Sequence, residues 1–554
     1  MIYAPPSMIG RLTESWFALA RAERHWLLFR LLCSLVWAVE LFCIQGLAFD
    51  AVPWLKHPVM TQCFRFGLDL LLTLSLVLLL QRRYLTPLLI FNLVALGAIG
   101  TYAANFHRPI LPVRAYYQWR EAWSLRSRAW EILSWRALVI VVPAFAAKLA
   151  LLARSGNYAV TRELRWRTAG LMALLYVLPV AALQLTNMRF PLKPTESPGR
   201  VVFAYGYAMP WVADILASRN TEEHAAMART YLDRHFDRIS PAEAPLRIPG
   251  HLIILQLESV GGNAMEATSQ GTGVMPFLST LRKQSMDFRI RSFHKTGSCD
   301  MDYAATTFVE PYPNLVPYRL PGMKYTNSLP FFMGKHGYKT FFFHGNTGLF
   351  YDRSTVIEQL GFDHIFFKEE LAPEHLACSI MGVRDAELFG CILKALQTEH
   401  RACVFAITLD THTPFENLTP GEMELFPHPT DAIERFFNTL RYLDGCLRKF
   451  FAQLPNGSTV VMYGDHTASF QSDRFTSDIV DGQEYVNCLI NQKGVDLSDV
   501  QQTRHQSLAL DGSLNLLDVM SYLRHSVEFT SQLEKQPPAA HAHEHHADSG
   551  GAKP

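Results

Sequence analysis

Three candidate nucleophiles fall within four positions of the stretch KTGSCDMDY: Thr296, Ser298 and Cys299. Two acids, Asp300 and Asp302, follow them directly. A hydroxyl or thiol is a candidate attacking group for covalent catalysis. Ser, Thr, Gly and Asp together, however, more often form only a turn. The stretch by itself leaves both interpretations open.

Acid and histidine residues also stand at the ends of four short apolar runs. Glu258 follows HLIILQL, His344 ends YKTFFFH, His412 follows CVFAITL after a short gap, and Asp465 and His466 follow STVVMYG. In open α/β sheets, ligands bind at the carboxyl ends of the strands. Carboxylate, imidazole and hydroxyl groups form a mixed O/N set that suits a divalent metal such as Mn²⁺, Zn²⁺ or Mg²⁺. The pattern predicts a metal site at one edge of a sheet.

The elements that must position these residues are strands alternating with helices. The four runs span residues 251–257, 338–344, 403–409 and 458–464, and each is largely apolar. Helical patterns such as MPFLSTLRKQ and AIERFFNTLRYLDGCLRKFFAQL lie between them. Buried strands that alternate with helices indicate a largely parallel sheet covered on both faces. The second half of the chain is therefore predicted to be an α/β domain.

The first half has a different composition and predicts a membrane domain. Five segments approach the length of about 20 apolar residues that a spanning helix needs. They are residues 31–49, 66–80, 84–104, 137–153 and 169–185. Glu40, Asp69 and Lys148 lie within these segments. Charges inside a membrane are often functional, but Asp69 and Lys148 stand near span ends, and snorkelling to the surface is the favoured interpretation.

Basic residues predict the orientation of these spans. Arginines cluster before the first span, between the second and third, and between the fourth and fifth, which places the N-terminus in the cytoplasm. The segment 108–136 disagrees, because it is also rich in arginine and would lie outside. Its mixture of Arg, Trp and Tyr is typical of a helix in the headgroup layer. Five spans then put the chain after Leu185 outside the cytoplasm.

Composition sets further limits. The 554 residues carry a net charge of +1, so no charge-driven nucleic-acid partner is expected. We predict a membrane domain at residues 1–186, a connector at 187–250, a catalytic domain at 251–535 and a disordered tail at 536–554. Four tail histidines could capture a metal, but a solvated tail is the favoured interpretation. Six cysteines lie in the outer domain, where disulfides are permitted.

The ordered set of motifs resembles one enzyme family. LIILQLES, a Gly-Ser-x-Asp turn, YKTFFFHGN, GFDHIFF, ITLDTHTPF, RYLD and VVMYGDH occur in the order seen in lipoteichoic acid synthases. The chain also looks like the phosphoglycerol transferases of periplasmic glucans, and both groups belong to the sulfatase and alkaline-phosphatase superfamily. The resemblance covers residues 251–466 and implies a sulfatase-like fold in a bacterial cytoplasmic membrane, with its catalytic domain outside. It also implies a phospholipid donor and an envelope glycan or polymer as acceptor.

The resemblance assigns a metal site and a nucleophile by position. It implies that Glu258, Asp465 and His466 bind one divalent metal, Mn²⁺ in the first place, with Mg²⁺ or Zn²⁺ as alternatives. The fourth ligand in the family is a threonine that attacks phosphorus, and Ser298 occupies its place here. Serine keeps the hydroxyl but lacks the methyl that stiffens χ1. Cys299 lacks the Cys-x-Pro-x-Arg context of a sulfatase cysteine, and Thr296 remains the other alternative.

The resemblance also supplies contacts for the donor phosphate. His344 matches the histidine of the family's HGN motif, and His412 matches the histidine before Pro-Phe. Arg353 matches an arginine that follows an aromatic residue, and Tyr351 stands where the synthases have tryptophan. These four side chains are predicted to bind the substrate.

The implied activity is transfer of glycerol phosphate from phosphatidylglycerol through a phosphoserine intermediate. Three alternatives stay open. A phosphoethanolamine transferase is disfavoured by the ending GDHTASF, because those enzymes typically carry Asp-His-Gly-Glu. A phosphodiesterase or phosphatase would use water as the acceptor. A non-catalytic membrane protein would have no reason to retain Glu258, Asp465 and His466 together.

Overall fold

The architecture comes from a computed structural model of the chain. It describes residues 21–47, 59–106, 133–155, 245–294, 297–311, 316–319, 325–379, 381–468, 474–480, 483–498 and 514–535, with residue 470 and scattered residues between 166 and 215. The predicted helix in the connector, residues 221–236, and the tail at 536–554 lie outside these ranges.

Four long helices form the described part of the membrane domain. They are α1 (Arg21–Leu47), α2 (Val59–Leu79), α3 (Arg82–Phe106) and α4 (Trp135–Arg154). Each is long and apolar enough to cross a membrane, so four of the five predicted spans are confirmed. The second span looked short in the sequence because its helix begins at Val59, upstream of the apolar run. About half of the fifth, residues 169–185, lies outside the described residues.

The charged residues in these helices have partners on neighbouring helices, and the prediction that Asp69 and Lys148 snorkel is wrong. Lys148 is fully buried, forms an ion pair with Glu40 and donates from Nζ to Oδ1 of Asn92 at 2.5 Å. Asp69 is also buried and accepts a hydrogen bond from Gln45 at 3.1 Å. Partners on neighbouring helices satisfy these groups, so they need not reach the surface.

The second domain is built on one large mixed sheet. The strands are β1 (Leu252–Leu257), β2 (Thr268–Ser269), β3 (Thr272–Gly273), β4 (Met286–Arg291), β5 (Lys339–His344), β6 (His364–Phe366), β7 (Ala402–Ile407), β8 (Thr459–Gly464), β9 (Ile479–Val480) and β10 (Gln483–Gln492). The order in the main sheet is β4-β10-β8-β1-β7-β5-β6, and β9 pairs with β10. The five strands from β8 to β6 are parallel, as predicted, whereas β10 runs antiparallel to both β8 and β4.

Helices cover both faces of this sheet. They are α5 (Pro276–Arg282), α6 (Cys299–Thr307), α7 (Leu329–Lys335), α8 (Arg353–Leu360), α9 (Lys368–Leu371), α10 (Asp385–Thr398), α11 (Ala432–Gln453) and α12 (Leu516–Lys535). Strand β1 alternates between two cores: Leu252 and Ile254 face the core with α6 and α12, and Ile253 and Leu255 face the core with α10 and α11. This period of two is what a strand buried on both faces requires.

The core of the second domain extends slightly upstream of the predicted boundary at residue 251. Leu246 and Ile248 are buried in it, and their backbone N–H groups donate to Ser526 and Thr530 of α12. None of the nine cysteines, all of which lie within the described ranges, forms a disulfide.

Candidate active site

The carboxyl ends of β1 and β8 bring together the predicted metal ligands. The two strands are adjacent and parallel, with Leu257 paired to Gly464, so Glu258 and Asp465 leave the sheet side by side. The ligand atoms of Glu258, Asp465 and His466 all lie within 4.8 Å of one another. His466 Nε2 is 3.1 Å from Oε1 of Glu258 and 3.8 Å from Oδ1 of Asp465.

A close backbone crossing makes this convergence possible. A Cβ atom on Gly464 would lie only 1.7 Å from the carbonyl oxygen of Val260, so no other residue fits there. Ser259 adopts a left-handed backbone with φ of 58°, which turns the chain sharply after Glu258. Such conformations cost free energy and cluster at functional sites. The turn lets the backbone N–H of Ser259 donate to Oδ1 of Asp465 at 2.8 Å.

The electrostatics of this group fit a divalent cation. Burial raises the pKa of Asp465 well above its usual range, and the charge of Glu258 raises it further. Burial also acts to raise the pKa of Glu258, but His412 and His466 outweigh it and hold that pKa below the usual value. Asp465 Oδ2 is buried and accepts no hydrogen bond from any residue that the structure describes. A buried carboxylate pair with an unsatisfied oxygen is stabilised by a nearby positive charge.

The tautomer of His466 agrees with metal binding. Its Nδ1 lies 3.1 Å from the carbonyl oxygen of Thr467, which can only accept, so Nδ1 carries the proton. The lone pair of a neutral ring is then on Nε2, the atom that faces Glu258 and Asp465. Oxygen and imidazole ligands of this kind suit Mn²⁺, Zn²⁺ or Mg²⁺.

Two residues beside His466 were missed in the sequence. The ring of His294 stacks on that of His466, and His294 Nδ1 is 3.3 Å from Oε2 of Glu484. Glu484 also accepts a hydrogen bond from the backbone N–H of Thr467. His294 stands immediately before KTGSCDMDY, and this closeness to the candidate nucleophiles could have marked it as a site residue. Glu484 gave no such signal in the sequence, because β10 was not predicted as a strand.

The backbone of Ser298 is tied to the two strands that carry the metal ligands. Ser298 is half-buried and immediately precedes α6. Gln256 of β1 donates from Nε2 to the carbonyl oxygen of Ser298 at 3.2 Å. Tyr463 of β8 donates in turn to Oε1 of Gln256 at 3.0 Å. Cys299 is fully buried in the core, whereas Thr296 lies outside the described residues.

Tyr351 lies against the residue before Ser298. A Cβ atom on Gly297 would be 2.3 Å from the Tyr351 hydroxyl, so glycine alone permits this contact. Tyr351 itself has a left-handed backbone with φ of 60°. The predicted aromatic contact is therefore next to the predicted nucleophile.

Arg353 is held by a carboxylate that sequence reasoning did not assign. Its Nε and Nη2 bind both oxygens of Asp302 at 2.8 and 3.2 Å, and its Nη1 is 3.3 Å from His344 Nε2. Burial alone would lower the pKa of Arg353, but Asp302 outweighs it and keeps that pKa above the usual range. The guanidinium also lies 5.1 Å from the centroid of the Tyr351 ring. The predicted substrate residues Tyr351, Arg353 and His344 thus form one cluster.

His344 is neutral in this cluster. Burial, together with the charge of Arg353, lowers its pKa to about 3. Its Nδ1 is 3.3 Å from the carbonyl oxygen of Ile407, so Nδ1 carries the proton and Nε2 accepts from Arg353. His344 therefore orients the arginine and contributes no positive charge of its own.

His412 completes the site from the loop after β7. A positive charge on His412 would act on the pKa values of both Glu258 and His344, so the ring is near both groups. Asn417 holds this loop by donating to the carbonyl oxygens of Asp410 and His412 at 3.0 and 3.3 Å. Nδ1 of His412 is 2.6 Å from the carbonyl oxygen of Thr413, so the neutral ring has its lone pair on Nε2.

Comparison with known proteins identifies the family of the second domain. Residues 251–508 match the Sulfatase family, and the chain carries a sulfatase-family domain behind its apolar helices. The predicted fold class, a helical membrane domain followed by a sulfatase-like α/β domain, is confirmed.

Two relatives with sequence similarity to the chain are lipoteichoic acid synthases. The chain is 25% identical over 275 residues to lipoteichoic acid synthase 1 of Bacillus subtilis, covering 47% of this chain and 41% of the relative. It is 26% identical over 230 residues to lipoteichoic acid synthase of Staphylococcus saprophyticus, covering 39% and 35% respectively. The matched region thus spans less than half the length of these relatives.

One solved structure resembles most of the chain. It is the integral membrane lipooligosaccharide phosphoethanolamine transferase A of Neisseria meningitidis, with a TM-score of 0.55 and 14% identity. The likeness covers 88% of this chain and 95% of that protein. It shows that the two proteins share a fold that includes the membrane domain.

Proposed function

We propose that the chain is a membrane-anchored, metal-dependent phosphoglycerol transferase. It would move glycerol phosphate from phosphatidylglycerol to a cell-envelope glycan or polymer outside the cytoplasmic membrane. The observation that carries this proposal is the group of Glu258, Asp465 and His466, with both carboxylates buried, at the edge where Ser298 and Arg353 also lie. The similarity to lipoteichoic acid synthases and the four apolar helices support it.

The residues that would hold the metal are Glu258, Asp465, His466 and the hydroxyl of Ser298. A divalent ion, Mn²⁺ in the first place, would supply Lewis-acid stabilisation of charge on oxygen and lower the pKa of a bound hydroxyl. The unsatisfied Oδ2 of Asp465 and the unprotonated Nε2 of His466 are the atoms that support this assignment.

The proposed reaction has two displacements at phosphorus. In the first, Ser298 Oγ forms a bond to phosphorus while the bond to the diacylglycerol oxygen breaks, and the hydroxyl proton ends on diacylglycerol. In the second, an acceptor hydroxyl attacks the phosphoserine ester, the bond to Oγ breaks, and Oγ regains a proton. His412 can hold the proton in transit at Nε2.

The protein stabilises the attacking and transferred groups with fixed charges. Ser298 immediately precedes α6, and the positive N-terminal end of a helix favours negative charge on an oxygen placed there. Arg353 presents a guanidinium whose orientation is fixed by Asp302 and His344, so little rearrangement is needed as charge grows on the phosphate oxygens.

A second candidate function is transfer of phosphoethanolamine from phosphatidylethanolamine. The fold likeness to a phosphoethanolamine transferase over 88% of the chain favours it. Both candidates use the same displacement and differ only in the head group attached to the phosphate.

The deciding experiment compares donors. The full-length protein is reconstituted with Mn²⁺ in vesicles that contain fluorescent phosphatidylglycerol or phosphatidylethanolamine, and diacylglycerol release is measured. We expect release from phosphatidylglycerol, and its loss in Ser298→Ala as the matched control. Release from phosphatidylethanolamine alone would select the second candidate. Release of free glycerol phosphate that no added glycan acceptor can redirect would instead indicate a hydrolase.

A further inference from the structure

Three large apolar side chains are exposed around the candidate site. Leu349 is 59% exposed, Ile479 is 46% exposed and Val480 is 48% exposed. Single exposed apolar residues are common on protein surfaces. What sets these apart is their shared position at the edge of the sheet where the metal ligands lie.

Ile479 and Val480 form β9. The direction of its partner strand, β10, places β9 at this edge of the sheet. β10 runs antiparallel to β8, so its first residues lie beside the end of β8, and Val480 pairs with Gln483 there. Asp478, directly before β9, touches the loop that follows Glu258, since a Cβ on Gly262 would lie 2.4 Å from its Oδ2.

Leu349 belongs to the loop that follows β5, on the other side of β1. It lies two residues before Tyr351, whose hydroxyl rests against Gly297. In the sheet order, β10 and β5 stand on opposite sides of β1, which carries Glu258 at its end. Leu349 on one side and β9 on the other therefore flank the site, and we call these three residues the apolar rim.

We propose that the apolar rim inserts into the surface of the membrane that α1 to α4 span, and so holds the site against a lipid head group. This inference rests on the proposed function. The occupant follows from the chain itself, because four membrane helices keep a bilayer within reach of the domain and the proposed donor is a lipid. Apolar side chains beside such a site enter the boundary between head groups and acyl chains.

The chain offers a matched control in Val495. This residue is 45% exposed, almost the same as Val480. It lies just beyond the end of β10, where Gln492 pairs with Thr459 at the start of β8. Val495 is therefore at the opposite edge of the sheet, away from the metal ligands.

The first test does not depend on activity. The photoreactive residue p-benzoylphenylalanine is placed at position 480, 349 or 495 of the full chain in phosphatidylglycerol vesicles, and adducts are identified by mass spectrometry. We expect lipid adducts at 480 and 349, and at least about fivefold fewer at 495. Equal lipid labelling at all three positions, or adducts at 480 and 349 only with a second copy of the chain, would overturn the proposal.

The second test distinguishes an effect of the apolar rim on membrane contact from an effect on the chemical step. The double variant Ile479→Ser and Val480→Ser should release diacylglycerol from bilayer phosphatidylglycerol about tenfold more slowly. It should cleave a short-chain, water-soluble phosphatidylglycerol as the wild type does, whereas Val495→Ser should leave both rates unchanged. Equal losses on both substrates would overturn the proposal. A wild-type protein inactive on both would refute the proposed function, while the crosslinking result would still stand.

Discussion

The imidazole rings of His294 and His466 stack with their centroids 4.2 Å apart and their planes at 18°. One face of His466 is therefore covered, while its Nε2 points to the carboxylates of Glu258 and Asp465. The backbone N–H after His466 donates to Glu484, which also contacts His294. Together these contacts fix both the ring plane and the loop of His466, a predicted metal ligand.

His294 should consequently act as a positioning residue for the metal site. We expect His294→Ala to weaken Mn²⁺ binding by about tenfold or more, the range typical of residues that orient metal ligands. His294→Phe should retain most of the affinity, because a phenyl ring can still stack on His466. Titration calorimetry on the full-length protein measures both constants. Equal affinities in wild type and His294→Ala would show that the stacking is incidental.

Ser298 should be required for the chemical step. Ser298→Ala is expected to reduce lipid cleavage by several orders of magnitude, as is typical when a nucleophile is removed. Ser298→Thr should keep part of the activity because the hydroxyl is retained. Mass spectrometry of protein quenched during turnover should find a glycerol-phosphate adduct on Ser298. An adduct on Thr296 or Cys299 would show that another group attacks.

Asp465→Asn should abolish metal binding without lowering the stability of the metal-free protein. In metal-free protein, the raised pKa of Asp465 reflects burial and repulsion by Glu258, so the neutral amide should unfold at the same temperature or higher. Saturating Mn²⁺ at about 100 times its Kd should raise the wild-type Tm by about 5 °C and leave the variant unchanged. Thermal scans with and without Mn²⁺ test this. A metal-induced shift in Asp465→Asn would count against the assigned ligand set.

His344 predicts a pH dependence whose sign follows from its pKa. That pKa is about 3 in the folded protein and about 6.5 in an unfolded chain. Between these values the unfolded state binds more protons, so stability should fall as pH drops below about 6.5. The slope contributed by this group reaches about 1.4 kcal/mol per pH unit. His344→Gln should show a correspondingly flatter profile in unfolding measured from pH 5 to 7.5, and identical slopes would contradict the assignment.

The strands that position the predicted metal site could be predicted from the sequence for a physical reason. β1, β5, β7 and β8 are buried on both faces along nearly their whole length, so each appears as a largely apolar run. Their observed bounds differ from the predicted ones by no more than two residues. The rule that ligands bind at strand ends then predicted that Glu258, Asp465 and His466 lie together, as they do in the structure.

The other contacts of the site depend on pairing between residues that are distant in the sequence, and such pairing leaves no local sequence pattern. β10 reads QEYVNCLINQ, in which polar residues interrupt the apolar ones. Its buried Asn487 and Asn491 are satisfied by the carbonyl oxygen of Gly262 and the hydroxyl of Ser285. Glu484 meets His294 only through antiparallel pairing across 190 residues. Asp302 was likewise not recognised as the partner of Arg353, because a carboxylate in the first turns of a helix gives no sign of what it binds.

The ion pair between Glu40 and Lys148 has a consequence for how the protein is made. The two residues are 108 positions apart, on the first and last of the four described membrane helices. At ribosomal speeds of about 5–20 residues per second, α1 is complete for roughly 5–20 s before Lys148 has been synthesised. During that interval Glu40 lacks its final partner, and α1 is less suited to lie alone in lipid. We therefore expect the nascent α1 to be retained beside the insertion machinery until α4 emerges, and the helices to be released into the bilayer together.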